Sequence, residues 1–232
     1  LWMKKNNPDV FDDNSVNQSV LDTGSEVGDL AMGLFGDYVE VPYGDLTDMI
    51  NETERLLELQ IPVIAEASFS VDGLFCSVDL LKCIGDREVE LYEVKSSTDV
   101  KSHFYDDVAF QKYVLTQAGY KVQSCYLVHV NNKYVRHGEL DIKQLFSIVN
   151  ITDEVLNLYP DVERNIERIK EYMQQTEEPL DDIGMHCFEP YACGFWQYCT
   201  SHLPKPNVFD IAGARKSVKF KCYEKGIISF EE

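Results

Sequence analysis

The chain has 232 residues, of which 44% are hydrophobic and 26% charged, enough for one well-buried domain with an appendage. Lys and Arg number 21 against 40 Asp and Glu, a net charge of −19, which argues against broad nucleic-acid binding and confines any such contact to a local groove. No run of about 18 apolar residues and no secretory signal is visible, so a cytoplasmic protein without a membrane span is expected. The 7 cysteines of such a chain read as metal ligands or core residues rather than disulfides.

The chain opens at Leu1 without an initiator Met, so residues upstream are expected. Leu1-Trp2-Met3 is apolar, and the polar run Lys4 to Asp13 predicts a loop. Asn14 to Phe35 predicts a helix, with Val20, Val27, Leu30, Ala31, Leu34 and Phe35 near helical spacing. Thr47 to Glu58 predicts a second, burying Met49, Ile50, Leu56 and Leu57. Pro62 then suits the start of a strand.

From Glu66 to Lys95 three β-rich runs are separated by two turn signals, Asp72-Gly73 and Gly85-Asp86-Arg87. Pairing Val71 with Leu74 places Glu66 opposite Asp79. Pairing Ile84 with Glu88 places Asp79 opposite Glu93, Leu81 opposite Leu91 and Cys83 opposite Val89. Three carboxylates therefore line up across three strands, and Lys95, two residues past Glu93, shares their face. Like charges in such a row repel, and a divalent cation held by carboxylate oxygens would relieve the repulsion. A solvated acidic face is the alternative, but Leu81, Leu91 and Val89 continue the same face and favour a site.

Ser102 to Ala118 predicts a helix stopped by Gly119, with Asp107, Gln111 and Val114 along one side. Lys121 to Val130 reads as a buried strand, so the strand–helix–strand order implies a parallel crossover. His129 reads as a core histidine, and Leu140 to Asn150 has room for another strand. Thr152 to Gln175 predicts a packing helix with a Val162, Ile166, Ile169, Met173 stripe. Cys76, Cys83 and Cys125 read as small core hydrophobes. Cys187, Cys193 and Cys199 are spaced C-x5-C-x5-C among aromatics, which suits a metal centre.

Asp79 followed by Glu93-Val94-Lys95 resembles the PD-(D/E)xK nuclease signature. The segment Asp106-Asp107-Val108-Ala109-Phe110-Gln111 is similar to that of the RecB-type branch. The cysteine triplet resembles that of its iron–sulfur members, such as the CRISPR-associated RecB-like exonucleases and AddB-type nucleases. The resemblance implies an α/β fold with a mixed central sheet flanked by helices, a restriction-endonuclease-like core, and a cysteine-cluster segment at the C-terminus. Its expected parts are an N-terminal helical segment (1–60), the nuclease core (61–150), a helical connection (151–180) and the cysteine segment (181–232).

It further implies a metal-dependent deoxyribonuclease, an exonuclease acting on single-stranded DNA or duplex ends. Asp79, Glu93 and the Val94 carbonyl would bind Mg2+ or Mn2+ with Glu66 nearby. Lys95 would position or deprotonate the attacking water, and Gln111 would orient water or phosphate. Cys187, Cys193 and Cys199 would hold a 4Fe–4S cluster, with a fourth cysteine expected upstream of Leu1-Trp2. A zinc site completed by His186 or His202 is the rival. The chain departs from the branch at Gly28, where a metal-binding His is usual; Glu26 lies nearby as a solvated helix charge. It departs again at Leu115, where a Tyr is usual, with Tyr113 out of place. The competing reading is a catalytically silent module of the same fold that binds DNA or supports assembly.

Overall fold

Residues 1–12, 18–189 and 191–230 are described by the computed structural model of the chain. They divide into two units, Gln18–Glu167 and Leu1–Asn17 together with Arg168–Glu232. No helix among the described residues is long and apolar enough to cross a membrane.

The first residues form a helix, α1 (Trp2–Asn6), where their polarity predicts a loop. Its anchor is tertiary: Trp2 is buried and its Nε1 donates to the Gln175 carbonyl at 2.8 Å. The next predicted helix is α2 (Gln18–Met32), extended by a 3-10 turn to Phe35. Its predicted start at Asn14 and the side chain of Val20 lie outside the described residues. A two-residue edge strand, β1 (Val39–Glu40), leads to α3 (Leu46–Glu58), whose N-cap Asp45 accepts from the Thr47 N–H at 2.9 Å.

The central strands follow the predicted runs: β2 (Val63–Val71), β3 (Leu74–Gly85) and β4 (Glu88–Lys95). Asp72 and Gly73 both have positive φ, 49° and 77°, as a type I′ turn requires. The second turn differs from expectation. Gly85 pairs with Glu88, so only Asp86 and Arg87 form the loop, and the extra residue is absorbed as an irregularity between Cys83 and Gly85. The register beyond is unaffected, with Leu81 opposite Leu91 and Cys83 opposite Val89.

Helix α4 (His103–Gln117) ends at Ala118, and Gly119 takes the left-handed conformation (φ 88°) that glycine adopts at lowest cost. It carries the chain to β5 (Lys121–Val130), which pairs parallel to β4. A single turn, α5 (Ile142–Leu145), precedes β6 (Phe146–Asn150), and then comes α6 (Thr152–Met173). The six strands lie in the order β1-β2-β3-β4-β5-β6, with β1/β2 and β4/β5 parallel and the others antiparallel. The unit is therefore α/β, a mixed sheet flanked by helices.

One sheet face, with Ala67, Phe69, Val78, Leu81, Leu91 and Leu127, packs against Leu56 of α3, Val108 and Leu115 of α4, and Val155 and Ile166 of α6. The other, with Val63, Ala65, Leu80, Tyr92 and Val128, packs against Ala31 and Met32 of α2. Strand alternation breaks twice in register. On β2, Ala65 and Ala67 belong to opposite faces; on β3, Val78 and Leu80 do. The residues at the breaks are Glu66, with a left-handed φ of 55°, and Asp79.

The second unit has its own core. Ile183, Cys187, Leu203 and Phe220 are buried with Phe188, Trp196 and Phe209 around them. Two short helices complete it, α7 (Trp196–Cys199) and α8 (Lys216–Tyr223). Phe11 lies edge-on to Phe195, and the Asp12 N–H donates to the Gly194 carbonyl at 2.8 Å, so the two ends of the chain fold together.

Candidate active site

The predicted acidic row comes together where alternation fails. Ordinary pleating would point Asp79 along the face of Leu81. The break instead leaves its carboxylate beside β4, where the Val94 N–H donates to Oδ2 at 2.6 Å. The N–H of Val94 is thus tied to Asp79. Asp79 is half-buried, and its carboxyl is held well above the usual range. Burial is the main cause and the Glu93 charge the next; the Val94 N–H opposes them, and Glu66 and Lys95 add smaller, opposite effects.

Glu93 is 7% exposed and has both oxygens occupied. Lys95 Nζ donates to Oε1 at 2.8 Å, and Gln111 Nε2 donates to Oε2 at 2.7 Å. Lys95 also reaches Asp107 Oδ2 at 3.0 Å and lies 5.2 Å from the Phe104 ring centroid. Burial works against the Lys95 cation, but the charge and hydrogen bond of Glu93, joined by Asp107, outweigh it and hold the pKa above that of an ordinary lysine. Lys95 is thus held as an ammonium between these two carboxylates. Gln111 is 8% exposed, and its Oε1 is the one buried side-chain polar atom without a hydrogen-bond partner among the described residues. With its nitrogen donating to Glu93, the amide leaves its oxygen over.

Glu66 turns toward Ser77, whose Oγ donates to its Oε2 at 3.2 Å. Burial raises its pKa, Ser77 lowers it, and the charges of Glu40, Glu93 and Asp29 raise it further. Asp29 on α2 and Glu40 on β1 are thus neighbours of the acidic row that strand pairing could not reveal, since neither belongs to the three-strand unit. Gly28 precedes Asp29 with open space where a Cβ would lie.

Among the described residues no three His, Cys, Asp or Glu side chains stand together as a metal-binding group. The expected convergence of Glu66, Asp79 and Glu93 into one coordination sphere is therefore absent from this arrangement, because Glu93 and Asp79 face N–H donors and Glu66 faces Ser77. The donor types nonetheless suit a hard cation: the carboxylates of Asp79 and Glu93 interact, and the orphaned Gln111 amide oxygen belongs to the side chain that holds Glu93.

In the second unit Cys187, Cys193 and Cys199 are free thiols around one apolar core. The Cys193 N–H donates to the Cys187 carbonyl at 2.7 Å. Burial pushes the Cys187 and Cys199 thiols up, and the Cys193 sulfur adds to both. They are neighbours without forming a ligand set as they stand. Compared with known proteins, the chain matches no family model and no curated sequence.

Proposed function

We propose that this chain is a metal-dependent nuclease of the PD-(D/E)xK type that hydrolyses DNA. The observation that carries the reading is Glu93, a buried carboxylate gripped between Lys95 and Gln111 with Asp79 on the adjoining strand. A lysine, an amide and a second acid around one buried carboxylate form a set that suits water attack on phosphate.

Asp79 and Glu93 would hold Mg2+ or Mn2+, which supplies Lewis acidity and lowers the pKa of a bound water. Lys95, cationic between Glu93 and Asp107, orients a water or a phosphate oxygen by donating to it and offsets developing negative charge. Gln111 fixes Glu93 with its Nε2 and offers Oε1 as an acceptor for a water hydrogen. Iron–sulfur or zinc binding by Cys187, Cys193 and Cys199 belongs to the same proposal, in a structural role.

A catalytically silent module is the second reading, favoured by the occupation of both Glu93 oxygens by internal donors. One assay separates the two. The chain is incubated with single- and double-stranded DNA in Mg2+ or Mn2+ beside Asp79→Ala. Metal-dependent cleavage lost in the variant supports the nuclease. Equal background from both proteins sinks it.

A further inference from the structure

Charge is unevenly shared between the units. Gln18–Glu167 holds 11 basic and 27 acidic residues, a balance of −16. Arg215 to Lys225 runs the other way, with Arg215, Lys216, Lys219, Lys221 and Lys225 against Glu224 alone, a balance of 5 − 1 = +4. The ion pairs of the described residues involve Arg55, Lys82, Lys95, Lys121 and Arg164, and none of these five.

The structure sorts the five. Lys219 Nζ donates to the Phe209 carbonyl at 2.7 Å, and Lys216 Nζ sits 3.8 Å from the Phe188 ring centroid; these two cations help hold α8 on its aromatic core. Arg215, Lys221 and Lys225 are exposed. At 100° per residue Lys221 falls on the side of α8 away from Phe220 and Tyr223, about 60° from the half-exposed Val218; Arg215 is the N-cap of the helix and Lys225 lies in the turn beyond Tyr223.

We propose that Arg215, Lys221 and Lys225 form a contact surface for the phosphate backbone of a nucleic acid. The excess of positive charge on this segment is self-repulsive, and a polyanion facing it relieves the repulsion. From Arg215 to Lys221 the helical rise gives about 9 Å, the axial length of two to three base-pair steps, and Lys225 lies beyond it. An anionic membrane fits less well, because the aromatic residues of α8, Phe220 and Tyr223, are turned into the core. The choice of nucleic acid as the polyanion rests on the nuclease reading, but binding is measured without cleavage.

The test is fluorescence anisotropy of a labelled 30-nucleotide DNA, single-stranded and duplex, titrated with the whole chain in EDTA over a range of KCl. Three phosphate contacts predict a slope of log affinity on log salt of about −2 for the single strand and about −3 for the duplex. Arg215→Gln/Lys221→Gln/Lys225→Gln should weaken binding at least tenfold at low salt and remove most of that slope. Lys121→Gln/Lys133→Gln/Lys143→Gln, the same change of charge in the other unit, should stay within about twofold of the parent if phosphate contact and not net charge decides. Lys221→Arg/Lys225→Arg should bind as the parent does. Equal loss in both Gln triples, no measurable DNA binding by the parent, or preferential binding to phosphatidylserine vesicles would each overturn the proposal. DNA bound through this surface by a parent that cleaves nothing would keep the surface and refute the nuclease.

Discussion

Lys95 and Glu93, two residues apart on β4, are joined by a 2.8 Å ion pair on the face that α4 covers. Strand geometry puts i and i+2 on one side, and Asp107 from α4 takes a second hydrogen of the same ammonium at 3.0 Å. Because its donors are already directed, Lys95 is expected to act on the chemical step and not on metal capture. Lys95→Ala should lower the cleavage rate by at least about a hundredfold. Metal affinity, followed by Mn2+ titration calorimetry, should change by no more than a few-fold. Asp79→Ala should lose both. Near-normal cleavage by Lys95→Ala would leave the fold intact and the catalytic assignment wrong.

Asp79 predicts a pH dependence with a definite sign. Its carboxyl is raised in the folded chain, chiefly by burial and then by Glu93. Stability from that group is fully present below the unfolded carboxylate range and is lost as pH rises through the higher folded value. Without metal, Asp79→Asn keeps an acceptor for the Val94 N–H but cannot ionise. The variant should melt above the parent at pH 8, and the gap should close toward pH 4. Mg2+ should raise the melting temperature of the parent at pH 8, do little at pH 4, and do little for the variant at either pH. A parent that gains as much from Mg2+ at pH 4 as at pH 8 would remove Asp79 from the metal site.

The strand register of this region was legible because two turns and a period of two leave few alternatives. Asp72-Gly73 and the Leu81–Leu91 and Cys83–Val89 pairs show that arithmetic at work. The local break at Glu66 and Asp79 was not legible. A reversal of alternation in both strands at one level leaves the register unchanged, and neither residue is a glycine that would signal positive φ. Helix α1 was missed for another reason: Trp2 is held by a bond to residue 175, and no local window contains that partner. Asp29 and Glu40 were hidden because their approach to Glu66 depends on how α2 and β1 dock, which charge patterns do not encode.

The second unit contains a tight contact that a single methyl would break. A Cβ built on Gly194 would sit 2.3 Å from Phe11 Cε2, far inside contact distance. The Phe11 ring is fixed from other sides, edge-on to Phe195 and 4.8 Å from Lys4 Nζ. Gly194→Ala should destabilise this unit by about 1–3 kcal/mol as an overpacking change. Adding Phe11→Ala should recover part of the loss, since it removes the ring that clashes. Urea unfolding followed by Trp fluorescence reads the effect, because Trp2 and Trp196 both lie in this unit. No change on Gly194→Ala would mean that the chain ends are not packed as described.

The cysteines give the last prediction, and it turns on protonation. Burial holds the Cys187 and Cys199 thiols above their ordinary range, and the neighbouring sulfurs add to the effect, so without metal the ionised form is disfavoured. Only thiolates bind iron or zinc, so a metal must expel these protons and remove the mutual repulsion at the same time. With a fourth cysteine completing the set, protein purified without oxygen from iron-replete cells should be brown and contain iron and sulfide in roughly equal amounts, as a 4Fe–4S centre requires; with the three alone the cluster should be incomplete or replaced by another metal. Cys193→Ser, which removes the sulfur acting on both neighbours, should lose the colour. Stoichiometric zinc without iron would move the assignment to a structural zinc site. Protein free of both metals, with three thiols that alkylate slowly at pH 7, would make them core residues and leave the carboxylate site untouched, since carboxylates and thiolates select different metals.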